Sequence, residues 1–199
     1  MVKSLHTTKG SLLFAQETPH RAFFFIESGL VKAYKITKYG EENLLIIRKE
    51  KEIFPLIWAV TGSERHIIYQ TMSPTTLWRL PRSDYLKQID STPESMAALL
   101  AMIVEMYRLH SERIINLEYR TVRERLISFM LTMSRRFGKD TKDGLLLDVP
   151  LRQQDIASSI NASRETTSRE LSRLEKKGLI KNSSQYITIL DKTKLKAYL

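Results

Sequence analysis

From Ser11 to Pro81, apolar and polar positions alternate in short runs rich in aromatic and β-branched residues. The runs Ser11–Ala15, Ala22–Glu27, Leu30–Thr37, Glu42–Arg48, Ile67–Thr71 and Thr76–Leu80 predict strands. Turn signals at Glu17–His20, Ser28–Gly29, Tyr39–Gly40, Thr61–Ser63 and Ser73–Pro74 separate them. No run is long enough to bury a core by itself, so the pattern predicts a closed sandwich or barrel.

At Pro93 the period changes to that of a helix, with Pro93 in the first turn behind Ser91 or Thr92. Met96, Leu100, Ile103, Tyr107, His110, Ile114 and Leu117 alternate in steps of four and three, the spacing of a coiled-coil seam. Leu99, Met102, Met106 and Leu109 form a second stripe beside it. Two apolar stripes predict two partners: the helix's own domain and a second copy of the chain. The plainer alternative is a core helix of one larger domain.

Thr121 with Glu124 three residues later predicts a capping box opening another helix, whose buried face is Leu126, Phe129, Met130 and Met133. Asn116–Arg120 is then expected as a hinge, and Lys139–Gly144 as a polar loop. The tail reads as helix, turn, helix and hairpin. Gln153–Ile160 is a short helix ended by Asn161 in the left-handed conformation, and Ser163 caps a second helix over Arg164–Lys176. Thr167, Leu171 and Leu174 face inward, Ala157 allows close crossing, and Gly178 stops the helix. Leu179–Lys181 and Tyr186–Leu190 form a hairpin about Asn182–Ser184, completing a winged helix-turn-helix.

Charge sharpens this picture. The 199 residues carry 32 Lys+Arg against 22 Asp+Glu, a net of +10. Residues 150–199 hold 10 basic and 5 acidic groups, half of that excess, so the tail is the best candidate for a polyanion-binding surface. Arg164, Glu165, Ser168 and Arg169 project from the first two turns of the second tail helix, the turns that reach base edges in a major groove. Arg donates to guanine O6 and N7, and Glu accepts from cytosine N4. Ser163, Thr166, Gln154 and Arg152 would flank the phosphates. The bland alternative is a solvated, salt-bridged face.

Composition removes several classes. With no cysteine there are no disulfides, thiolate zinc sites or iron–sulfur clusters. The apolar stretches Phe54–Val60 and Ala97–Val104 fall far short of the ~20 residues of a spanning helix, and Met1–Ala15 lacks a signal-peptide core. A cytoplasmic protein without membrane attachment is expected. No Ser/His/Asp, metal-ligand or Gly-rich phosphate constellation has usable spacing, so no catalytic or metal residues are assigned and an enzyme is not expected.

The stretch QQDIASSINASRETTSRELSRLEKKGLI at Gln153–Ile180 closely resembles the DNA-binding domain of the CRP/FNR family of bacterial transcription regulators, SRETTSR being its specific part. AFFFIESGLVKAYKI resembles the family's second and third barrel strands, and the helix with NLEYRTVRERL resembles its dimer helix and domain junction. The resemblance implies an α+β chain: a cyclic-nucleotide-binding-like β-roll over 1–91, a dimerisation helix over 92–118 and a winged helix-turn-helix over 119–199. It further implies a homodimer on palindromic double-stranded DNA. Arg164, Glu165 and Arg169 match the base-reading positions of the cyclic-AMP receptor branch. Glu165, Ser168 and Arg169 match those of the oxygen-sensing branch. Lys139–Gly144 matches where family members touch RNA polymerase.

The sensor half departs from the family. Cyclic-nucleotide binders carry Gly-Glu-Leu and Arg-Ser/Thr-Ala cassettes; the matching stretches here are Phe54–Ile57 and Glu64–Ile68, without a Gly-Glu pair and with Arg65 followed by His66. Pro55 removes one amide donor, so cyclic AMP is not expected in the usual mode. Phe54, Trp58, Arg65 and Tyr69 either line an effector pocket or, for the rings, fill a barrel core. A haem would have to draw on His6, His20, His66 or His110, residues more often structural or surface; His110 on the seam also suits a pH-sensitive pairing position. Arg152 stands where the family places Thr or Ser, predicting a weaker cap. The chain begins almost at its first strand, as expected of a shortened or reduced sensor. The competing functional class is a small-molecule receptor whose output is a protein–protein contact.

Overall fold

The computed structural model describes residues 3–14, 22–63 and 65–199, and the chain divides into two compact units, Met1–Met106 and Tyr107–Leu199. In the first unit the alternating runs become β1 (Lys3–Thr7), β2 (Leu12–Phe14), β3 (Phe23–Ser28), β4 (Val31–Ile36), β5 (Glu42–Arg48), β6 (Ile53–Phe54), β7 (Ile68–Thr71) and β8 (Thr75–Leu80). They pair antiparallel in two four-stranded sheets, ordered β1-β8-β3-β6 and β2-β7-β4-β5. The break expected at Glu17–His20 and the residue Ala15 lie outside the described residues.

The sheets close over apolar side chains from alternate positions: Phe14, Phe24, Ile26, Val31, Ala33, Phe54, Tyr69 and Leu77 form one buried cluster. The turn from β3 to β4 depends on Gly29, whose φ is +97°. A Cβ there would stand 2.5 Å from Thr75 Oγ1 and 2.6 Å from the Pro74 carbonyl. Gly29→Ala therefore meets both backbone strain and a collision, and its expected cost is more than about 1 kcal/mol. Urea unfolding of the variant checks it; wild-type stability would contradict the geometry.

Between β6 and β7 the apolar run becomes a helix, α1 (Leu56–Thr61). Its C-terminal carbonyls are held by Arg82, which donates through Nε to Trp58 and Ala59 (3.1 Å each) and through an amino group to Val60 (2.9 Å). Arg82 opens α2 (Arg82–Ser91), followed by α3 (Pro93–Tyr119), whose Leu99, Met102 and Met106 pack in a second cluster with Phe23, Ile53, Leu56, Ala59 and Ile89.

In the second unit α3 runs on to Tyr119. The expected hinge is therefore shorter than Asn116–Arg120, because only Arg120 and Thr121 separate α3 from α4 (Val122–Phe137). Asn116 lies inside the helix and is committed: its amide donates to Ser128 Oγ on α4 (2.9 Å) and its carbonyl accepts from Arg120 (2.6 Å). Glu112, one turn earlier, accepts from Ser128 and from Arg135 (2.7 Å). This polar ladder holds the end of α3 along α4. The Thr121–Glu124 capping box forms as the sequence predicts.

The stretch read as a polar loop, Lys139–Gly144, is instead part of a hairpin. Strands β9 (Gly138–Thr141) and β10 (Gly144–Leu147) join β11 (Ile180–Ser183) and β12 (Tyr186–Ile189) in a sheet ordered β11-β12-β10-β9. A final helix, α7 (Lys192–Lys196), is capped by Asp191. Among the described residues no helix is long and apolar enough to cross a membrane.

Candidate nucleic-acid interface

Helix α5 (Gln153–Ser159) and helix α6 (Arg164–Lys176) are joined by a turn in which Asn161 has φ +50°. The left-handed residue reverses the chain within three positions, and the Ala162 amide donates back to the Ala157 carbonyl at 3.0 Å. Ala157 is fully buried, as expected where the helices cross. Ser163 caps α6 by accepting from the Thr166 amide at 3.1 Å. Thr167, Leu171 and Leu174 turn inward; the buried Thr167 hydroxyl is satisfied by the Ser163 carbonyl at 2.9 Å.

That anchoring decides what α6 presents outward. Arg164, Glu165 and Arg169 are exposed and Ser168 is half-buried, all on one side. Arg169 is oriented by its own helix: its guanidinium donates to Thr166 Oγ1 (3.2 Å), which also accepts from Ser163 Oγ (2.9 Å). Ser163 and Thr166 thus sit at the lip of this face. Gln154 is half-buried at the start of α5. Arg152 is half-exposed and its guanidinium is forked onto Asp155 (3.0 and 2.9 Å), which also accepts the Arg152 amide at 3.0 Å. Arg152 gives the first amides of α5 no side-chain acceptor, as expected where Ser or Thr is missing, and Asp155 instead holds the Arg152 amide and guanidinium. The wing is tied to α6 through Glu175, which accepts from the Asn182 amide at 2.8 Å.

One residue of the site has no counterpart in the sequence reading. Glu170, on the flank of the buried stripe of α6, is buried and accepts from Arg123 Nε on α4 at 2.8 Å and from Arg173. Burial pushes its carboxyl up, but the bonds from Arg123 and Arg173 and their charges outweigh this and hold it below the usual carboxylate range.

The predicted seam on α3 is open. Met96, Ile103, His110, Ile114 and Leu117 are exposed, as are Leu100 at 58% and Tyr107 at 74%. Of the residues proposed for an effector, Phe54 and Tyr69 lie together, and the charge of Arg65 acts on the Tyr69 hydroxyl. Phe54 and Tyr69 stack at 5.0 Å inside the roll, with Phe24 at 5.6 Å and Phe14 at 6.5 Å from Phe54. Phe14, Phe24, Phe54 and Tyr69 all belong to the buried cluster between the sheets. Trp58 packs in the second cluster and Arg65 is exposed. Of the histidines, His6 is hydrogen-bonded to Thr76 at 3.1 Å and His20 lies outside the described residues. Among the described residues no group of three or more His, Asp or Glu is placed to hold a metal ion.

A β-roll followed by a long helix and a winged helix-turn-helix defines a two-part transcription regulator, a sensor-type domain coupled to a DNA-binding one. Family models agree: residues 5–92 match the cyclic nucleotide-binding domain and residues 124–198 the Crp-like helix-turn-helix domain. The chain is 27% identical over 186 residues to the global nitrogen regulator of Synechococcus elongatus, covering 92% of this chain and 83% of that one. It is 26% identical over 187 residues to a CRP-like cAMP-activated global transcriptional regulator of Mycobacterium tuberculosis, covering 94% and 84%. The solved structure of FixK2 from Bradyrhizobium japonicum superposes with a TM-score of 0.83 at 20% identity, over 99% of this chain and 96% of that one. The chain belongs to the CRP/FNR family of transcription regulators, and its relatives are regulators, not enzymes.

Proposed function

We propose that the protein acts in the cytoplasm as a homodimer that binds palindromic promoter DNA, reading bases with Arg164, Glu165, Ser168 and Arg169. The carrying observation is the outward face of α6, an exposed fork of cation, carboxylate and hydroxyl on a helix pinned from behind. Ser163, Thr166 and Gln154 take the phosphates, and Arg152 joins them by exchanging its fork on Asp155 for a phosphate. Two copies joined along Met96, Leu100, Ile103, Tyr107, His110, Ile114 and Leu117 set the recognition helices about 34 Å apart, in successive major grooves. The hairpin tip at Lys139–Gly144 is the proposed contact for RNA polymerase.

The roll works without a cyclic nucleotide. The buried rings of Phe14, Phe24, Phe54 and Tyr69, and Pro55 with no amide to offer at the start of α1, support this reading. The dimer is then competent without a ligand. Selection of bound duplexes from a random pool, with and without added cyclic AMP, tests both parts: one palindrome is expected under either condition, and recovery of unrelated sequences would refute it. The reading as a receptor signalling through protein contact draws no support from the relatives.

Glu165→Ala is expected to relax discrimination at one base pair by about 1–3 kcal/mol while leaving salt-dependent, non-specific binding in place. Titrations with the selected palindrome and its single-base variants measure it. Equal losses on every duplex would show that Glu165 reads no base.

A further inference from the structure

Resting on the DNA-binding reading above, we infer that Glu170 is a positioning residue that sets sequence discrimination, by locking α6 to α4 through Arg123 and by withholding Arg173 from the DNA backbone. Three apolar residues at spacings of four and three fix how deeply α6 is seated, but packing alone is non-directional and resists rotation about the helix axis only weakly. A charge-assisted hydrogen bond is directional. The bond from Arg123 Nε to Glu170, at 2.8 Å, joins the middle of α6 to the first turn of α4. A small roll of α6 would carry Arg164 and Arg169 sideways across a base pair, so this tie acts where angular error is most damaging.

The second half of the role concerns charge. Arg173 lies one turn beyond Arg169 on the same side of α6, and its side chain is 59% exposed. Freed from Glu170, it becomes an additional phosphate ligand that strengthens binding to every sequence alike. Glu170 is 90% buried and accepts from both arginines, so a single carboxylate enforces register and suppresses indiscriminate grip. Arg123 is at a distance of 47 positions in the chain, and α4 brings it back to α6.

The test uses the full-length protein, the palindrome recovered by selection, the same duplex with one half-site base pair changed, and a scrambled duplex. Glu170→Gln keeps the shape but offers one acceptor oxygen and no charge. Discrimination between the first two duplexes is expected to fall about tenfold. Affinity for the scrambled duplex is expected to rise, with a salt dependence steeper by about one unit in the log–log slope. Arg123→Gln should lose discrimination without the steeper slope, and Arg173→Gln should keep discrimination. These half-exposed sites carry the test should Glu170→Gln fail to fold. Undiminished discrimination in Glu170→Gln, or equal losses on all duplexes accompanied by a lower Tm, would overturn the inference. Absence of any preference in the wild type would instead overturn the DNA-binding reading on which it rests.

Discussion

Replacing Leu100 and Ile114 together by glutamate is expected to produce a monomer whose affinity for a two-half-site palindrome is lower by about 10²–10⁴-fold. Both side chains are more than half exposed and lie on the same stripe of α3, one in each compact unit. Neither is buried in its own unit, so the circular dichroism spectrum should not change. In a dimer each is buried twice, once per copy, and a pair of carboxylates facing their own images adds repulsion to lost apolar burial. What disappears is the coupling of two weak half-site contacts into one bivalent grip. Sedimentation equilibrium gives the assembly state, and titrations with full and half palindromes give the linkage. Half-site affinity should survive nearly intact, since Arg164, Glu165 and Arg169 are untouched. A double variant that remains dimeric would remove α3 as the dimer seam.

The helix carrying the exposed apolar stripe, α3, was legible in the sequence because a heptad leaves a mark that needs no knowledge of the partner. The same holds for α6: Ser163, the apolar steps Thr167–Leu171–Leu174 and Gly178 are all local signals, and the helix spans Arg164–Lys176 as they predict. Elements made by distant groups were not legible. Leu56–Thr61 contains Ile57, Trp58, Val60 and Thr61 and reads as one more apolar run, yet it is helical. Its ends are set by Pro55, by the left-handed Gly62 and by the Arg82 guanidinium on its last carbonyls. Helix α2 carries only a short apolar face, Tyr85, Leu86 and Ile89, too brief a repeat to stand out beside the strands before it. Gly138–Thr141 is exposed along its whole length and becomes a strand only because β10 lies beside it. Glu170 left no local signal for the same reason, since Arg123 reaches it from another helix.

Phe54→Ala is expected to destabilise the roll by about 3–5 kcal/mol, the cost of removing a large buried ring together with the cavity it leaves. Phe54 is fully buried and its ring lies 5.6 Å from Phe24, 5.0 Å from Tyr69 and 6.5 Å from Phe14, so three aromatic contacts disappear at once. Burial in the same cluster pushes the Tyr69 hydroxyl up to about 12, against the opposing charges of Arg48 and Arg65. Urea unfolding measures the loss, and Phe54→Leu, which restores much of the volume, should recover part of it. The filled interior makes a sharper demand of the same variant. An apolar cavity of this kind stays empty of water and takes small aromatic molecules. Benzene should therefore raise the Tm of Phe54→Ala by preferential binding to the folded roll while leaving the wild type unchanged. A wild-type protein that responded equally would possess an open chamber of its own, and the ligand-independent dimer would lose the packing argument that supports it.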